Sequence, residues 1–62
     1  METIQITVVL TENQAWEFAQ FFKRVCFSDY RNCATSDAEA YHMLDAGERV
    51  RSALAEQGYA PR

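Results

Sequence analysis

The sequence predicts a small α+β domain of order β-α-α, and three observations carry that expectation. Ile4-Gln5-Ile6-Thr7-Val8 alternates apolar and polar residues with the two-residue period of a half-buried strand. Two later stretches repeat apolar residues at helical spacing, each opened by a capping signature. Gly58 and Pro61 then punctuate the end of the second.

The strand is expected over about residues 3–9. Ile4, Ile6 and Val8 would share the core face, with Gln5 and Thr7 on the other. No second strand can be read in the chain, so the N–H and C=O groups of the first need a ladder partner from elsewhere. A homodimer paired through this strand is therefore expected.

The first helix is expected over about 12–27. Thr11-Glu12-Asn13-Gln14 fits a capping box, in which hydroxyl and amide satisfy orphan N–H groups. Ala15, Phe18, Ala19, Phe22, Val25 and Cys26 form its apolar stripe, while Trp16, Gln20, Lys23 and Phe27 line a second one. Residues 28–35 break the pattern and read as the connection. Ser36-Asp37-Ala38-Glu39 is a second capping box and opens a helix over about 37–57. Its buried stripe is Ala40, Met43, Leu44, Gly47, Val50 and Leu54. Glycine inside that stripe costs ~1 kcal/mol relative to alanine, so a close approach at Gly47 by a ring such as Phe22 is expected. Asp45 and Arg49 stand four apart as a helix-supporting pair.

The 62 residues read as one domain at the small end of what folds alone, where oligomerisation is a common remedy for a thin core. Nine acidic residues against six basic ones leave a net charge of −3, which disfavours binding to the DNA backbone. The sequence shows no leader-like start and no apolar run long enough to span a bilayer, so a soluble cytoplasmic protein without a membrane partner is expected. In that compartment Cys26 and Cys33 are two free thiols.

Chemistry is sparse. His42 falls on the polar side of the second helix, without a nucleophile to serve. Cys26, Cys33 and His42 lack the short ligand spacings of a zinc site. No catalytic residue, metal or cofactor is expected, and an enzyme is not.

Interaction residues are easier to name. Trp16 lies off the stripe that buries the first helix, and Phe27 and Tyr41 lie on helix flanks. Asp29, Tyr30 and Arg31 place an aromatic ring between opposite charges on the connection. The alternative there has Tyr30 capping the core with Asp29 and Arg31 solvated. Glu12, Glu17 and Asp45 supply negative charge. A non-enzymatic protein–protein interaction module, docking through this acidic and aromatic surface, is the expected function.

The order strand, helix, helix resembles the ribbon-helix-helix DNA-binding fold. The resemblance implies a dimeric regulator whose paired strands enter the major groove, with Gln5 and Thr7 reading bases. This sequence departs from that pattern in having no Lys or Arg on the strand, a long connection and a negative net charge. The segment from Phe27 to Arg62, with Ser28-Asp29-Tyr30-Arg31, Glu39-Ala40-Tyr41 and Gly58-Tyr59-Ala60-Pro61-Arg62, is similar to small proteins of bacterial mobile elements. That resemblance implies a phage-type inhibitor of the anti-CRISPR kind. Its partner would be a bacterial nucleic-acid-binding defence complex.

Overall fold

A computed structural model describes residues 2–61. Three helices follow in order: α1 over Glu12–Arg24, α2 over Phe27–Asn32 and α3 over Asp37–Glu56. Among the described residues there is no β-strand, so the chain is all-helical and the expected α+β, β-α-α class is corrected. Residues 2–10 form an irregular arm whose side chains are all exposed, including Gln5 and Thr7. Alternation along Ile4–Val8 specifies two faces, but a strand also needs backbone partners, and no other segment of this chain supplies a ladder.

The capping box at Thr11 forms in both directions. The Gln14 N–H donates to Thr11 Oγ1 at 3.1 Å, and the Thr11 N–H donates to Gln14 Oε1 at 2.9 Å. The far end of α1 differs from expectation, because the helix stops at Arg24 instead of running to Phe27. In a continuing helix the Cys26 N–H would bond the Phe22 carbonyl. It donates instead to the Asp29 carboxylate at 2.9 Å. That bond starts a new helix, so the first half of the expected connection is α2.

The α2–α3 join is held by Arg31, whose Nε donates to Asp37 Oδ1 at 2.6 Å and whose Nη1 donates to the Ala34 carbonyl at 3.0 Å. Ser36 caps α3 through the Glu39 N–H at 3.2 Å. The reciprocal half of that expected box is replaced, since the Glu39 carboxylate accepts from the Thr35 hydroxyl at 2.7 Å. At its other end α3 closes in a Schellman arrangement. Gly58 sits at φ 97°, its N–H bonds the Ala55 carbonyl, and the Tyr59 N–H returns 2.9 Å to Leu54.

Both α1 and α2 pack on α3. The molecule measures 34 × 28 × 16 Å, so its thinnest dimension is little more than one helix diameter of about 10–12 Å. The buried apolar residues are Ala15, Ala19, Phe22, Ala40 and Leu54, with Val25 and Tyr59 packed against the main cluster. Of the expected stripes, Phe18, Cys26 and Val50 are exposed instead of buried. Alanine at 15, 19 and 40 brings the helices close, leaving little room between them for further rings.

Candidate functional site

The surface is more distinctive than the core. On the arm, Ile4 is 90% and Val9 93% exposed, and Ile6, Val8 and Leu10 are uncovered as well. A second apolar area lies on α1. Phe18 and Phe21 stack at 5.6 Å between centroids, both rest on the buried Phe22, and Phe21 remains 49% exposed. The helical spacing places Phe18 in the core stripe, which the structure does not bear out. The available signal was the crowding of three phenylalanines within five positions, more than one narrow helix face can bury.

Beside Phe21, where α1 gives way to α2, lies a groove of about 540 Å³. Glu17, Arg24 and Asp29 line it with Phe21, Val25, Tyr30 and Cys33. The structure thus brings together Glu17, Asp29 and Tyr30 from the expected interaction set. Asp29 is engaged locally: besides the Cys26 N–H it accepts from the Cys26 thiol at 3.2 Å. The backbone bond foremost, and then the thiol, holds its carboxyl below the usual value of 3.8.

Tyr30 is half-buried, and its charged neighbours Asp29 and Arg31 are engaged locally instead of solvated. Its hydroxyl reaches α3 at Gly47, where it is sealed from water without a hydrogen-bond partner. Burial, with Glu48 adding its negative charge, pushes that phenol above its ordinary 10.0. The close approach expected at Gly47 is present, and Tyr30 shares it with Phe22. Arg31 is committed to Asp37.

The remaining residues are dispersed. Trp16 is 44% exposed and meets Tyr59 edge to face at 5.0 Å, so the chain's own C-terminal segment partly covers it. Phe27 and Tyr41 stack on each other at 4.7 Å. Glu12 is exposed at the start of α1. Asp45 lies along α3 in a shallow polar groove with Glu48, Arg49 and Glu56. The expected Asp45–Arg49 pair is not made, and Glu48 approaches Arg51 at 4.0 Å instead. Of the expected acidic residues, Glu17 and Asp29 therefore stand beside Phe21 and Tyr30, and Glu12 and Asp45 lie apart from them.

Cys26 and Cys33 are free and exposed. Among the described residues, no group of three or more His, Cys, Asp or Glu side chains is placed to hold a metal ion. No helix among them is long and apolar enough to cross a membrane.

Fold and surface together define a small all-helical protein with a thin core and an uncovered apolar arm. The chain belongs to a family of unknown function, DUF7706, whose model matches residues 1–62. No curated protein and no solved structure matches it. The family description carries no statement of phage origin, inhibition or operator binding.

Proposed function

We propose that this protein is a non-enzymatic protein–protein interaction module that docks through the apolar arm and the Phe18–Phe21 face of α1. One observation carries the reading: the large apolar side chains that are exposed outnumber those that are buried. Ile4, Ile6, Val8, Val9 and Leu10 are consecutive or nearly so, and Trp16, Phe18 and Phe21 follow on α1. Single exposed apolar residues are ordinary, but contiguous patches mark interaction surfaces. Aromatic rings at such sites lose little side-chain freedom on binding and dominate interface energetics.

A photo-crosslinking phenylalanine analogue at position 18, introduced in the native cell, tests this. Protein adducts should form there and be lost on Trp16→Ala or Ile6→Lys. A yield no higher than that from the same analogue at Arg49, on the polar face of α3, would overturn the reading.

A further inference from the structure

We propose that the occupant of the groove beside Phe21 is the arm of a second copy of this chain, exchanged reciprocally in a dimer. This deepens the interaction reading above and rests on it.

The first argument is area. A folded monomer of 7.1 kDa exposes about 4,100 Å² by the surface–mass relation. This chain exposes 5363 Å², an excess of about 1,300 Å². A stable interface of standard size takes about 800 Å² from each partner. The surplus is therefore enough to build one, and the arm is where the exposed aliphatic side chains concentrate.

The second argument is charge. Each copy carries a net −3, so two copies repel wherever charged surfaces meet. From Thr3 to Leu10 the arm holds no charged residue, and Glu2 at its far end is the one charge of residues 2–10. That uncharged stretch can enter a groove edged by Glu17, Arg24 and Asp29 without meeting like charge.

The third is symmetry. Every copy holds both an uncovered arm and an uncovered groove. Reciprocal exchange covers both at once about a two-fold axis and leaves no open end for further growth. Drawn out at about 3.3 Å per residue, Thr3–Leu10 reaches roughly 26 Å, longer than the roughly 20 Å of α1.

Light scattering on a size-exclusion column, across a dilution series, tests the proposal. The full chain should run at twice the 7.1 kDa chain mass. Ile6→Lys in the arm and Phe21→Ser at the groove should each run as monomers. Mixing these two variants should restore a dimer, because one intact arm then meets one intact groove. Cys33, which lines the groove, should be alkylated more slowly as dimer forms, with Cys26 as the internal reference. If Phe21→Ser loses its helical circular dichroism, Cys33→Trp blocks the groove from an exposed position instead.

A monomer at every concentration overturns the proposal, as does a dimer that survives both groove variants. A mixture that stays monomeric overturns it too, since one intact arm then fails to hold one intact groove. A monomer that still forms adducts with another protein from position 18 sinks this inference alone and leaves the interaction reading standing.

Discussion

The hydroxyl of Tyr30 on α2 lies against the bare backbone of Gly47 on α3. A Cβ on Gly47 would overlap that oxygen and would stand 3.1 Å from the Tyr30 ring carbon bearing it and 3.3 Å from Phe22 Cε1. Glycine in mid-helix ordinarily costs ~1 kcal/mol, and here it admits two rings at once.

Gly47→Ala should therefore lower stability although alanine is the better helix former. Overpacking costs about 1–3 kcal/mol against a propensity gain of ~1 kcal/mol. Urea denaturation checks the sign, and the loss should shrink in a Tyr30→Phe background. Equal losses in both backgrounds would mean that the hydroxyl is not the obstacle.

Tyr30→Phe alone should raise stability. A buried hydroxyl without a partner carries a desolvation cost of about 1–3 kcal/mol, and phenylalanine removes it. The pH profile should change as well. With its folded pKa above the ordinary 10.0, Tyr30 keeps its proton in the folded state after losing it in the unfolded one. Its contribution is whole below pH 10 and declines as pH rises through the folded value. The variant should lose that part of the alkaline decline, read by thermal unfolding in a pH series.

Asp29 predicts the opposite limb. Its lowered pKa makes the carboxylate's contribution present above 3.8 and lost as pH falls through the folded value. Asp29→Asn should keep an oxygen for the Cys26 N–H yet flatten this acid dependence. Asp29→Ala should lose both, with reduced helical circular dichroism at neutral pH. An unchanged acid limb in the asparagine variant would contradict the assignment.

Gly58→Ala should be felt at the opposite end of the sequence. At φ 97° an L side chain costs about 1–2 kcal/mol, so the cap that directs Tyr59 back onto Leu54 weakens. Trp16, the chain's single tryptophan, should then lose its edge-to-face ring and shift its fluorescence to the red. A spectrum identical to that of the parent would disprove the coupling.

Local signals were readable in the sequence and non-local ones were not. Thr11 with Gln14, Ser36, and Gly58 with Pro61 announce helix ends through bonds made within a few residues, and each marks an end in the structure. Phe22 at Gly47 was legible because glycine in a buried stripe demands a neighbour. The arm was misread because Ile4-Gln5-Ile6-Thr7-Val8 specifies faces, while a strand depends on a second segment that the pattern cannot reveal. The start of α2 was missed because cysteine occupies the cap position usually held by Ser, Thr, Asp or Asn. In the candidate site, Tyr30 was expected on a connection and lies instead on α2, whereas Phe18 was lost to periodicity alone.

Alanine fills three of the five buried apolar positions, and that makes the fold's tolerance to sequence drift lopsided. Little volume can be excised from Ala15, Ala19 or Ala40, so erosion by shrinking substitutions is confined to Phe22 and Leu54. Growth is the dangerous direction, since any methyl added at the alanines would wedge α1 or α2 away from α3. Lineages carrying this domain should conserve smallness at 15, 19 and 40 more strictly than hydrophobicity anywhere else in the helices.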